Sequence, residues 1–203
     1  MKLHYVTDRA AIGEARFEHV LEALSGASGL LVQLREKSET DRNLVDLAKS
    51  VREKLGGSVP LFVNRRFDVA LAAGAEGVHL PADGLPVSRV RAGSPRGFRI
   101  GVSTHSVAEA ARAIDQGADL VVLGPVFDTP SKREFGPPLG TGVLAGLPPR
   151  EAQAADVFVI GGIDESRISE LVPFADRISG VAGIRLIQEA AEPRAVVERI
   201  ASA

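Results

Sequence analysis

An alternation repeated eight times constrains this chain more than any other feature. Short runs rich in Val, Ile and Leu are separated by longer Ala-, Leu- and charge-rich stretches whose apolar residues fall at helical spacing. Continuous apolar runs suit strands covered on both faces, as in a parallel sheet, and the amphipathic stretches between them suit crossover helices. Strands are expected at Leu3–Thr7, Leu30–Arg35, Pro60–Asn64, Gly77–Leu80, Arg99–Ser103, Leu120–Gly124, Val157–Gly161 and Arg177–Val181. Helices are expected around 17–26, 40–55, 66–74, 86–92, 106–117, 140–147, 164–173 and 193–202. Eight such units predict a single (β/α)8 TIM barrel over residues 1–203, with its site at the C-terminal ends of the parallel strands. A doubly wound open sheet is the other architecture, and it places its site at the same strand ends.

Several boundaries carry their own signals. Ser106 with Glu109 forms a capping box, in which a hydroxyl and a carboxylate meet the free amides of a first helical turn. Gly74 and Gly117 stand where helices should stop. The stretch from Asp128 to Leu139 differs from the other connections: it holds Pro130, Gly136, Pro137 and Pro138 among charges and reads as a lid.

The first candidate site is the run Leu31-Val-Gln-Leu-Arg-Glu-Lys37. Extended backbone puts Gln33, Arg35 and Lys37 on one face, so an apolar strand opens at its end into two cations and an amide suited to an anion. A half-exposed edge strand would show the same alternation. The third strand then delivers Asn64, the fourth His79, the fifth Ser103 and His105, and the segment after the sixth Thr129, Ser131 and Lys132. In a closed barrel these converge on one mouth. Ile160-Gly-Gly-Ile163 offers bare backbone amides, and a short helix starting near Gly183 and Ile184 would aim its first amides at the same place. The phosphate of a small substrate is therefore expected around Gly161, Gly162, Gly183 and Ile184.

Composition narrows the partners. The formal net charge is −2, so no global field draws in nucleic acid or an anionic membrane, and an anion site must be local. Aromatic residues make up 4% of the chain, too few for base-stacking platforms. The chain has no cysteine, which excludes thiolate chemistry. Residues 1–8 are too soon interrupted by polar groups to act as a signal core, and no apolar run approaches a bilayer-spanning length. A cytoplasmic protein is expected, with no nucleic-acid and no membrane partner.

The motifs together resemble the thiamine phosphate synthase/TenI superfamily. They are Tyr5-Val-Thr-Asp8, Gln33-Leu-Arg-Glu-Lys37, Val63-Asn64, Gly77-Val-His-Leu80, Gly101-Val-Ser-Thr-His-Ser106, Gly124-Pro-Val-Phe127 with Thr129 and Lys132, and Ile160-Gly-Gly-Ile163. The resemblance implies a TIM barrel acting in thiamine biosynthesis. Synthase members join a pyrimidine methyl pyrophosphate to a thiazole phosphate, with Mg2+ held by aspartates. TenI-type members are thiazole tautomerases, isomerases that aromatise a carboxythiazole phosphate without metal. The synthase pattern has an aspartate directly after the strand-three asparagine and another four residues after the strand-four leucine. Here those positions are Arg65 and Gly84, with Asp83 displaced by one. Since Mg2+ requires anionic oxygen ligands, these exchanges favour the tautomerase branch without a cofactor. Mg2+ enters only if the chain is a synthase, an alternative kept open by Arg65, which could neutralise pyrophosphate in place of a metal, and by Asp83, which could reach inward. A non-catalytic barrel that binds thiamine precursors is a further alternative.

On the tautomerase reading, Arg35 or Lys37 meets the substrate carboxylate. His105, matching the TenI catalytic histidine, moves the proton as the side chain best able to change role near neutral pH. Glu36 and His79 are lesser acid/base candidates. Ser103 orients the ligand, and Thr129, Ser131 and Lys132 close over it. Family likeness also implies a homodimer.

Overall fold

Eight parallel strands follow one another around a closed barrel in chain order, and the last pairs back with the first. The structure, a computed structural model, describes residues 1–129 and 137–203. The strands are β1 Lys2–Val6, β2 Leu30–Leu34, β3 Leu61–Asn64, β4 Gly77–Leu80, β5 Arg99–Thr104, β6 Leu120–Leu123, β7 Asp156–Ile160 and β8 Gly180–Gly183. Among the described residues the α-helices are α1 Arg9–Ile12, α2 Glu14–Leu24, α3 Asp41–Leu55, α4 Phe67–Ala73, α5 Val87–Gly93, α6 Val107–Asp115, α7 Ile168–Leu171, α8 Arg185–Gln188 and α9 Pro193–Ser202.

The apolar runs follow from this geometry. Successive strand residues point to opposite faces, one set into the barrel and the other under the helices, and both destinations are dry. Leu31, Phe62, Leu120, Val122, Phe158 and Ala182 fill the barrel interior. Leu3, Tyr5, Val32, Leu34, Leu61 and Val63 belong to the larger layer between strands and helices. Into that layer α2 sends Phe17, Val20, Leu21 and Leu24, and α3 sends Leu44, Ala48, Val51 and Leu55, each set on one helical stripe. Fully burying one such side chain contributes about 1.5–3 kcal/mol. The expected start of α6 is present: the Ser106 hydroxyl accepts from the Glu109 amide at 3.1 Å, and the Glu109 carboxylate accepts from the His105 amide at 2.7 Å.

Three expected elements differ. The last strand lies at Gly180–Gly183 and so begins three residues beyond the start expected at Arg177. Glycine has little strand propensity, yet it is required there: a Cβ on Gly180 would stand 1.9 Å from the Lys2 carbonyl oxygen. The expected helix at 140–147 is a 3-10 turn, Thr141–Gly146, because two glycines in six residues do not sustain an α-helix. The expected helix at 164–173 is broken into Glu165–Arg167, α7 and Val172–Phe174, where Pro173 withholds a backbone donor. No helix among the described residues is long and apolar enough to cross a membrane.

Candidate active site

The strands from β2 to β5 carry an arc of polar side chains at their C-terminal ends. Gln33 and Asn64 have the same parity as the interior residues Leu31 and Phe62, so they point into the mouth, where the Gln33 amide donates to Asn64 Oδ1 at 2.9 Å. Register sets Asn64 beside His79. His79 Nε2 lies 2.9 Å from Ser103 Oγ, joining β4 to β5. Gly101 makes room for this imidazole, since a Cβ there would come within 2.7 Å of His79 Nδ1.

Beneath this arc His79 meets His4 edge to face with ring centroids 5.6 Å apart, and His4 meets Phe158 at 5.5 Å. Both imidazoles are fully buried. Burial, with the Arg35 charge adding to it, lowers His79 to a pKa of about 3. Burial and then His79 lower His4, and the nearby Gln33 amide works the other way and is outweighed. Both rings are therefore neutral at neutral pH. Burial thus disfavours protonation of His79, expected as a secondary acid/base, whose Nε2 faces the Ser103 hydroxyl.

Arg35 and Lys37 follow β2. Neither side chain forms an ion pair among the described residues, so two cations stand at the rim with their charge available. The backbone at Arg35 is fixed by its neighbours: its amide donates to Thr7 Oγ1 at 3.0 Å, and the Thr7 hydroxyl donates to Glu36 Oε1 at 2.5 Å. Glu36 also accepts from the Arg9 amide at 3.1 Å. The Glu36 carboxylate, expected as an acid/base, thus clamps the β1 and β2 corners together. Thr7, buried directly after β1, was not among the expected site residues; the signal in sequence was a hydroxyl closing the first apolar run.

His105 lies just past β5 on the rim. Its Nδ1 is 2.8 Å from the Gly124 carbonyl, which can only accept, so Nδ1 carries the proton and Nε2 keeps its lone pair in the neutral ring. The segment leaving β6 is tied to β7: the Val126 amide donates to the Ile160 carbonyl at 2.8 Å and that of Phe127 to Gly161 at 3.0 Å. It is closed on itself where the Leu139 amide donates to Pro125 and the Gly140 amide to Val126. Thr129 is buried beside this corner. Ser131 and Lys132, and with them the centre of the expected lid, lie outside the described residues.

Gly161 and Gly162 have positive φ, 104° and 63°. Their lack of side chains is demanded by the β6 corner, since Cβ atoms there would stand 2.5 Å from Pro125 Cβ and 2.4 Å from the Asp128 carbonyl. Arg167, also unanticipated, braces the corner by donating to the Gly162 carbonyl at 2.9 Å while its guanidinium stacks 4.9 Å from the centre of Phe127. Gly183 and Ile184 lead into α8 on the neighbouring rim.

The positions that bear on Mg2+ do not suit it. Among the described residues no cluster of three or more His, Asp or Glu could hold a metal. Position 84 carries no carboxylate, and a Cβ there would lie 2.9 Å from Pro81 Cδ and 3.0 Å from its carbonyl oxygen, so a side chain would have to displace Pro81. Asp83 is 82% exposed and faces Arg65 Nη1 at 3.9 Å.

Fold and site together define a class: a TIM barrel whose mouth sets unpaired cations and fixed dipoles on one arc opposite glycine-lined backbone on the other. The family described as thiamine monophosphate synthase matches residues 3–187. The chain belongs to that thiamine monophosphate synthase/TenI family. It is 41% identical over 207 residues to the thiamine-phosphate synthase of Methanoculleus marisnigri, covering 99% of this chain and 96% of that one. It is 37% identical over 185 residues to that of Methanospirillum hungatei, covering 90% and 88%. The solved thiamine phosphate pyrophosphorylase from Pyrococcus furiosus superposes with a TM-score of 0.81 at 28% identity, over 99% of this chain and 94% of that one. These similarities correct the tautomerase expectation, in which the enzyme was an isomerase: the relatives bear the name of the transferase. The exchange of two aspartates for Arg65 and Gly84 marks a change within one loop pair and does not decide the branch.

Proposed function

We propose that this protein is a cytoplasmic thiamine-phosphate synthase that joins a hydroxymethylpyrimidine pyrophosphate to a thiazole phosphate. The observation that carries this reading is 41% identity to a thiamine-phosphate synthase along nearly the whole of both chains. The mouth supplies chemistry that fits it. Both substrates are phosphoesters, and the free charges of Arg35 and Lys37 give them an anchor at the β2 rim. The backbone at Gly161, Gly162, Gly183 and Ile184 receives the monophosphate across the mouth. The Gln33–Asn64 and His79–Ser103 pairs present dipoles held by hydrogen bonds, which orient a flat heterocycle without rearranging.

In the reaction the thiazole nitrogen lone pair forms a bond to the pyrimidine methylene carbon, and the carbon–oxygen bond breaks with its electron pair leaving on pyrophosphate. No proton changes place in that step. His105 therefore need not act as an acid or base, and its Nδ1 bond to Gly124 makes it a positioned acceptor at the rim. The residues present do not suit a divalent ion, so every role above belongs to side chains and backbone.

The test is direct. Purified protein is supplied with both substrates, with and without Mg2+, and thiamine phosphate is measured by chromatography. Product at turnover rates is expected. Absence of product under both conditions overturns the reading in favour of a barrel that only binds these precursors.

A further inference from the structure

The corner joining β3 to α4 is the one described place where a residue other than glycine has a positive φ: Arg65, at 63°. The Arg66 amide folds back to the Asn64 carbonyl at 2.7 Å, closing a three-residue turn of the strained hand around Arg65. The Arg65 amide is fixed separately to the His79 carbonyl at 2.8 Å. Glycine or asparagine would take this conformation with less strain, so the local backbone gives no reason for an arginine. The reason must lie with the side chain.

The two successive arginines behave differently. Arg66 is committed: its guanidinium binds Asp68 on one side and Asp41 on the other. Arg65 is 57% exposed and among the described residues faces only Asp83, across 3.9 Å, too far for a direct hydrogen bond. It stands on the rim one strand from Arg35, whose charge has no carboxylate partner among the described residues. Two guanidinium groups on adjacent strand ends bring two positive charges, the number a divalent ion would carry. Each offers parallel N–H donors that match two oxygens of a phosphoryl group, which a spherical ion cannot do. The facing corner offers no carboxylate at 84: the Gly84 amide donates to the Pro81 carbonyl at 2.9 Å, and a Cβ there would press against Pro81.

We propose that Arg65 binds the pyrophosphate of the substrate in the place of a divalent cation, aligned by Asp83, so that this chain releases pyrophosphate without added metal. The turnover part rests on the synthase reading given above. As the carbon–oxygen bond breaks, the electron pair goes to a pyrophosphate oxygen, and the Arg65 and Arg35 donors meet the charge that accumulates there.

Two measurements separate this inference from the synthase reading. Binding of inorganic pyrophosphate is followed by calorimetry in excess EDTA for wild type, Arg65→Gly and Arg65→Lys. Arg65→Gly suits the left-handed backbone and so removes the guanidinium without adding strain, and thermal melting checks its fold. Wild type should bind, Arg65→Gly should bind at least tenfold more weakly, and Arg65→Lys should fall between them as a charge without the fork. Pyrophosphate binding that needs Mg2+, or that Arg65→Gly leaves unchanged, overturns the proposal. Turnover is then measured in EDTA and in millimolar Mg2+, and rates within about threefold of each other are expected. Product formed only with Mg2+ overturns the proposal and leaves the synthase reading intact. No product under either condition, with pyrophosphate still bound through Arg65, removes the synthase reading and keeps the Arg65 anion site.

Discussion

The two ends of the barrel treat charge in opposite ways. At the N-terminal end the Lys2 amine reaches both Asp156 oxygens at 2.9 and 3.0 Å, Arg99 approaches the same carboxylate at 3.4 Å, and Arg91 pairs with Asp119. A depression of about 880 Å3 opens there, lined by Arg99, Asp119 and Asp156 among others; Arg99 and Asp156 pair with each other and Asp119 pairs with Arg91. At the C-terminal end Arg35 and Lys37 have no carboxylate partner among the described residues, and Arg65 has only a distant one. Matched charges close a barrel and pin its register. Unmatched ones, set beside dipoles already fixed to each other, prepare a place for an anion from outside.

The sharpest way to break this comparison is to remove charge from each end in turn. Arg35→Ala should lower turnover by about 100- to 1,000-fold, the scale of losing one preorganised donor at developing charge, while leaving the melting temperature within a degree or two. Steady-state kinetics beside a thermal melt reads both quantities. A large drop in melting temperature would mean that Arg35 has a structural partner and that the open end is as closed as the other.

Between the ends lies a neutral layer, and pH tests it. His4 and His79 have folded pKa values below the unfolded value near 6.5, so the unfolded chain binds more protons as pH falls. The stability they contribute is complete above pH 6.5 and is lost between there and about 3, the pKa of folded His79. Each ring that stays neutral should give a slope of about 1.4 kcal/mol per pH unit in that window. Denaturant midpoints from pH 7.5 to 4.5 should fall accordingly, and His4→Leu should remove about half of the slope. An unchanged slope in the variant would assign the pH dependence to other groups.

How much of this was legible before the structure depends on which kind of evidence a residue leaves in sequence. Strand and helix positions were readable because the apolar period is imposed by two dry layers, and the converging polar ends followed from counting strands. β8 was misplaced because its positions are dictated by backbone approach at Gly180, which leaves glycines where a hydrophobic run was sought. The surroundings of Glu36 were hidden for a related reason: a carboxylate beside two cations looks open in sequence, and only the fold brings the Thr7 hydroxyl and Arg9 amide to it from another strand. The exchange at Arg65 and Gly84 was visible, and a lost metal ligand and a gained anion ligand look alike in sequence; the positive φ at Arg65 is what the structure adds.

The closed end yields a smaller prediction in stability alone. Burial works to raise the Asp156 carboxyl, but Lys2, Ser179 and Arg99 outweigh it and hold its pKa below the ordinary value. Its contribution is therefore present above the unfolded carboxylate range near 3.9 and lost as pH falls through the lower folded value. Asp156→Asn should cost about 1–3 kcal/mol at pH 7, less than breaking a fully buried pair because Lys2 and Arg99 retain contact with water. Turnover at saturating substrate should stay within about twofold of wild type, since the reacting groups meet at the other end. A loss of activity without a loss of stability would show that the ends are coupled through the interior layer.

The smallest effect is the most discriminating, because its sign differs from the others. A left-handed residue other than glycine costs about 1–3 kcal/mol in the folded chain, and glycine in its place regains part of that while losing some to the greater freedom of the unfolded chain. Arg65→Gly should therefore raise stability by about 0.5–1 kcal/mol in a denaturant melt even as it weakens pyrophosphate binding. Arg66→Gly, which breaks the contacts to Asp41 and Asp68, should lower stability instead. Opposite signs at adjacent arginines would mean that one holds the corner together and the other is kept under strain for a ligand. If Arg65→Gly destabilises the protein as Arg66→Gly does, Arg65 belongs with the matched charges, and the contrast between the two ends stops at Arg35 and Lys37.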